Sequence, residues 1–88
     1  MIDPEIIAKT NEVFVKFFEI EQERLKPEAH IFTDLGLDSL DIVDLIVSLQ
    51  NTFGIKIRNE EDVRNIQTIE DIYRFIAAVK TREAAKKP

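Results

Sequence analysis

The chain has 88 residues, 44% of them hydrophobic, a formal net charge of −5 and no cysteine. That is enough for one small core and not for two, and it excludes disulfides, thiolate nucleophiles and zinc–thiolate sites. The acidic balance repels nucleic acid and favours a basic protein partner.

The first residues, MIDPEII, lack the basic segment and apolar core of a secretory signal, and no apolar run approaches the ~20 residues needed to cross a bilayer. A cytoplasmic protein without membrane insertion is expected. Asp3 and Pro4 mark a helix start, aspartate as cap and proline at the first helical position. Ile6, Thr10, Val13, Phe14 and Phe17 then recur at three- and four-residue steps, with Phe18 and Ile20 broadening the stripe. The spacing predicts an amphipathic helix to about Gln22, with its aromatics in the core.

The segment ERLKPEAHIFTDLG is broken by Pro27 and Gly36 and reads as an ordered crossover with one short turn. A loop of this length packs against the body or has a task. His30, the one histidine, is expected to be structural or solvated. A second helix runs from Ser39 to about Thr52, capped by Asp38 and stopped by Phe53 and Gly54, with glycine in the left-handed conformation. A short extended piece and a brief helix over 59–65 follow. Thr68 caps the last helix with Asp71 as reciprocal partner, and Ile69, Ile72, Tyr73, Ile76 and Val79 form its apolar side. The polar end, KTREAAKKP, is expected to fray.

Charge is unevenly spread. Residues 31–52 hold four aspartates and no lysine or arginine, whereas from Phe53 onward basic residues outnumber acidic ones by eight to six. On a wheel of 100° per residue, Ile42, Leu45, Ile46, Leu49 and Phe53 of the second helix share the core side. Asp41, Asp44, Ser48 and Asn51 lie opposite, and Leu40, Val43 and Val47 border the aspartates. Aliphatics beside acids form a docking face, the acids steering a basic partner. The competing reading is a solvated helix face with scattered surface leucine and valine.

Ser39 follows the cap at the first helical position, so its hydroxyl points outward. Serine is common at helix starts, and nothing around it supplies the base and oxyanion site that a serine nucleophile needs. Free N–H groups at a helix start favour an attached phosphate ester, while Asp38 and Asp41 oppose it. Asp34, Asp38, Asp41 and Asp44 do not have the spacing of a calcium loop, and no dedicated metal site is expected. The residues alone leave open a modified carrier, an unmodified helical interaction module and, more remotely, a small serine hydrolase.

The stretch DLGLDSLDIVDLIVSLQNTFGIKI resembles the acyl carrier protein family. The likeness rests on Asp34-Leu35-Gly36, Asp38-Ser39-Leu40, Asp44-Leu45, Phe53-Gly54-Ile55 and the closing TIEDIYRFI, and it covers nearly the whole chain. It implies an all-α, four-helix bundle of three main helices and one short one, with a carrier domain over 1–80 and a polar tail over 81–88. In that family the serine matched by Ser39 holds a covalent 4′-phosphopantetheine arm, moved from coenzyme A by a dedicated transferase. The arm's thiol carries acyl groups, so the sulfur is imported and the carrier is no enzyme.

The resemblance further implies that Asp38, Leu40, Asp41, Val43, Asp44 and Val47 dock partners. These are the phosphopantetheinyl transferase and acyltransferases, ketoacyl synthases and other acyl-processing enzymes with basic docking surfaces. Ile46, Phe53, Ile57, Val63, Ile66 and Ile72 become candidates for the acyl cavity or the core. A monomer acting in fatty acid biosynthesis or a related acyl pathway is expected. The alternative is a specialised carrier for polyketide, lipid-modifying, aminoacyl or peptide synthesis. Gln50, Asn51 and Arg58 depart from the family pattern, the first two where the acidic stripe usually continues.

Overall fold

The computed structural model describes residues 2–57 and 65–86. They form an all-α bundle of three main helices, α1 (Pro4–Phe18), α2 (Ser39–Phe53) and α3 (Ile69–Lys86), with a 3-10 turn over Gln22–Arg24 after α1. Of the short helix expected over 59–65, residues 59–64, Val63 among them, lie outside the described residues. Among the described residues no helix is long and apolar enough to cross a membrane.

Helix α1 begins as expected: the Asp3 carboxylate accepts the Glu5 N–H at 2.9 Å and proline occupies the first turn. Ion pairs Glu5–Lys9 (2.9 Å) and Glu12–Lys16 (2.7 Å) line its outer side at four-residue spacing. It ends at Phe18, before the expected Gln22, because Glu19 adopts the left-handed conformation with φ 54°. The N–H groups of Glu19 and Ile20 both turn back onto the Phe14 carbonyl, and Ile20 is thereby buried. Burial of one isoleucine, about 1.5–3 kcal/mol, offsets the roughly 1–2 kcal/mol that a left-handed non-glycine residue costs.

A second correction concerns Phe17. It lies on the core meridian of α1 yet is 65% exposed, beside Val13 and the α2 residue Thr52 in an open groove. It sits in the last turn, where the chain is about to leave the bundle. The other members of the stripe, Ile6, Thr10, Val13 and Phe14, are buried. Thr10 is fully buried and its hydroxyl has no partner among the described residues.

The core is built from Phe14, Ile31, Leu45, Leu49, Ile69, Ile72 and Ile76, all buried to completion or nearly so. Helix α1 packs on both α2 and α3, and the Tyr73 hydroxyl of α3 donates to Asn11 of α1. At the far end of α2, the Phe53 ring is flanked by two ammonium groups, Lys9 of α1 at 5.9 Å and Lys80 of α3 at 5.7 Å. Each such contact contributes about 0.5–1 kcal/mol. The pair also places positive charge at the C-terminus of a helix with no basic residue in its own last turn. Helix α3 continues past residue 80 to Lys86, through alanine, arginine, glutamate and lysine, all strong helix formers.

The crossover from α1 to α2 is pinned to the start of α3. An isolated antiparallel bridge joins His30 to Thr68, with Ile31 N–H donating to the Gln67 carbonyl (2.8 Å) and Ile69 N–H to that of Ala29 (3.1 Å). Glu70 N–H adds a bond to the Pro27 carbonyl at 2.9 Å. Leu25, Ala29, Ile31 and Leu35 are buried beneath it. So the loop is an ordered strap that sets where α2 begins.

Candidate functional site: the entrance of α2

Gly36, with φ 75°, makes the last turn before the helix in a conformation that side chains other than glycine rarely adopt. Asp38 then caps α2. Its carboxylate accepts the Asp41 N–H at 2.9 Å, and the Asp41 carboxylate accepts the Asp38 N–H at 3.1 Å. This is a capping box built from two aspartates. Asp41 is therefore part of the helix entrance as well as of its acidic face. The signal was in the sequence, an acid three residues after the cap.

Ser39 is the first residue of α2 and is exposed. Among the described residues, its own N–H and that of Leu40 have no internal acceptor. Two free donors beside an exposed hydroxyl suit a phosphate ester on that oxygen. The exposed carboxylates of Asp38 and Asp44 keep the entrance negative. Leu40, Val43 and Val47 are 76%, 59% and 49% exposed, one row down the same side. The structure thus brings Asp38, Ser39, Leu40, Asp41, Val43, Asp44 and Val47 together on one accessible face.

The other candidates lie inward. Ile66 and Ile72 are buried, and Ile46, Phe53 and Ile57 are half-buried against the core. Gln50 does not extend the acidic stripe: its amide oxygen accepts the Ile57 N–H at 2.8 Å and ties down the chain after α2. Among the described residues no three acidic or histidine side chains gather to hold a metal.

His30, expected to be structural or solvated, takes a structural role in the turn, with Asp34 as a partner that the sequence reading did not assign to it. The His30 Nδ1 accepts the N–H groups of Phe32 (3.2 Å) and Thr33 (3.3 Å), and the His30 N–H donates to the Asp34 carboxylate at 2.8 Å. The His30 carbonyl accepts from Asp34 and Leu35. Arg24 donates to the Asp34 carbonyl. With Nδ1 engaged by the backbone, that nitrogen cannot act as the base of a hydrolase. The one sequence signal was an acid four residues after a histidine in a loop.

At the start of α3, Asp71 accepts the N–H groups of Gln67 (3.0 Å) and Thr68 (3.1 Å), and its own N–H donates to the Thr68 hydroxyl. Partial burial opposes its charge, but the N–H groups of Thr68 and Gln67, the Thr68 hydroxyl and Arg74 outweigh that and hold its pKa below the ordinary value.

A family model described as the phosphopantetheine attachment site matches residues 11–76, which include the whole of α2. Acyl carrier protein 2 of Ralstonia nicotianae is 39% identical over 85 residues, covering 97% of this chain and 100% of that protein. The acyl carrier protein of Syntrophobacter fumaroxidans is 35% identical over 73 residues, covering 83% of this chain and 89% of its own. With the attachment-site model covering most of the chain and relatives aligned almost end to end, this protein belongs to the acyl carrier protein family, whose members carry acyl groups for other enzymes to transform.

Proposed function

We propose that Ser39 is the covalent attachment point of 4′-phosphopantetheine, and that the chain carries acyl intermediates of fatty acid biosynthesis or a related pathway. The observation that carries this is the exposed Ser39 hydroxyl at a capped helix start beside two free N–H groups. The residues present fit the group: nothing buries the oxygen, and the helix start favours its phosphate. When bound, the arm supplies a thiol for acyl thioesters, which this cysteine-free chain cannot supply itself.

The chain's own residues do the rest. Asp38, Asp41 and Asp44 attract the basic surfaces of the phosphopantetheinyl transferase and of acyl-processing enzymes such as ketoacyl synthases and acyltransferases. Leu40, Val43 and Val47 supply the apolar area that such partners bury. Ile46, Phe53, Ile57, Ile66 and Ile72 are the side chains between which a cargo chain would be sheltered. A fourth, short helix over 59–65 would complete that wall in the four-helix form of the bundle; its residues 59–64, Val63 among them, fall outside the described residues.

The absence of acid on α2 beyond Asp44, with Gln50 engaged by Ile57, favours a dedicated partner over promiscuous pairing with general fatty-acid enzymes. Full activity with a general set of ketoacyl synthases and acyltransferases would count against that second reading.

The test of the attachment is intact mass after incubation with coenzyme A, magnesium and a broad-specificity transferase. A gain of one phosphopantetheine is expected, lost in Ser39→Ala. No gain, or a gain that persists in the variant, would overturn the assignment.

A further inference from the structure

We propose that His30 is a positioning residue for arm attachment: its Nδ1, by accepting two backbone N–H groups, closes the strap that presents Ser39. The inference rests on the Ser39 reading for its consequence but not for the closure itself. Nδ1 accepts two backbone N–H groups, from Phe32 and Thr33, at 3.2 and 3.3 Å. Only a nitrogen without a proton can do so, which places the ring proton on Nε2. Without that acceptor, both N–H groups would have to turn to water.

The remaining bonds of this turn do not replace those two. The Asp34 carboxylate holds the His30 N–H, and the His30 carbonyl holds Asp34 and Leu35. These fix the ends of the turn, while Phe32 and Thr33 at its crown are exposed and fastened through the imidazole. The charged groups around the site are Asp34 in the turn, Arg24 on its carbonyl, Lys26 and Glu28 just before it, and Glu70 and Asp71 in the first turn of α3, which meets the strap through the bridge at Thr68. Among the described residues none of these groups accepts from the Phe32 or Thr33 N–H, which His30 Nδ1 alone receives. Downstream, Leu37 N–H donates to the Ile31 carbonyl at 3.1 Å, so the turn is continuous with the chain that delivers Asp38 and Ser39.

The device makes a prediction that a merely space-filling histidine would not. Asparagine offers a side-chain oxygen in the same local role, as asparagine and aspartate do in turns of this kind, whereas alanine offers no acceptor. In hydrogen exchange followed by ¹⁵N-resolved NMR of the unmodified protein at one fixed pH, the Phe32 and Thr33 amides should exchange several-fold faster in His30→Ala than in wild type, and at close to the wild-type rate in His30→Asn. With coenzyme A, magnesium and a broad-specificity transferase, His30→Ala should load Ser39 roughly fivefold more slowly and His30→Asn within about twofold of wild type.

Phe32 and Thr33 amides that exchange as slowly in His30→Ala as in wild type would overturn the proposal, and so would a His30→Ala variant loaded at the wild-type rate. If neither wild type nor His30→Asn is loaded at all, the Ser39 assignment fails, and the amide exchange still decides the closure.

Discussion

Replacing Asp38 removes one hydrogen bond and one charge from the entrance of α2, and two variants separate these losses. In Asp38→Ala the Asp41 N–H loses its acceptor at 2.9 Å, but the reciprocal bond survives, because the donor to the Asp41 carboxylate is the main chain of residue 38. The cost is therefore one N-cap, about 1 kcal/mol. For a domain of this size that lowers Tm by about 4–8 °C. Asp38→Asn keeps an acceptor and forfeits the attraction between a carboxylate and the helix dipole, about 0.5 kcal/mol. Both variants lose the exposed charge, so both should slow transfer of the arm by a similar factor, roughly fivefold at low ionic strength and less at high. Melting curves by circular dichroism and intact-mass time courses measure the two effects on the same samples. An Asp38→Ala protein that melts with wild type refutes the cap. An Asp38→Asn protein loaded at the wild-type rate refutes the electrostatic role.

Leu40→Ala should leave Tm unchanged, since the side chain is 76% exposed, while weakening partner binding measured by calorimetry; a large fall in Tm would place Leu40 in the core instead. Thr10→Val should raise stability by about 1 kcal/mol in denaturant titration, because it replaces an unpartnered buried hydroxyl with a methyl group of the same shape. Asp71 has a folded pKa below its ordinary value, so its contribution is complete at neutral pH and is lost as pH falls through about 3.9 and below. Asp71→Asn should accordingly flatten the acid limb of the stability profile, and an unchanged limb would show that the α3 cap does not supply it.

The boundaries that local chemistry decides were legible. Asp38 and Gly54 bracket α2 because an acceptor is needed at one end and a left-handed residue at the other, and Thr68 with Asp71 opens α3 in the same way. The exposed row of Leu40, Val43 and Val47 also follows from helical arithmetic alone. The end of α1 was not legible. Phe17, Phe18 and Ile20 prolong the apolar stripe, and the helix stops only because burying Ile20 forces glutamate into a conformation its residue type does not announce. Nor does any local pattern reveal that Ile31 pairs with Gln67, since backbone bonds across that distance depend on the finished bundle. Gln50 and His30 share this property: each looks like an ordinary polar residue until the backbone N–H groups it receives are brought to it.

The two lysines over Phe53 have a reach beyond the helix end they neutralise. Three carboxylates stand near one end of α2, and some 20 Å along the axis of this 15-residue helix stand two ammonium groups with a single carboxylate, Glu5, paired to Lys9, so that end keeps a net positive charge. A molecule charged in this way turns like a compass needle as it approaches a positively charged enzyme, so that the serine end leads before any atom touches. Dissolved salt would blunt this alignment, and reversing Lys9 and Lys80 to acids would erase it without altering the docking face.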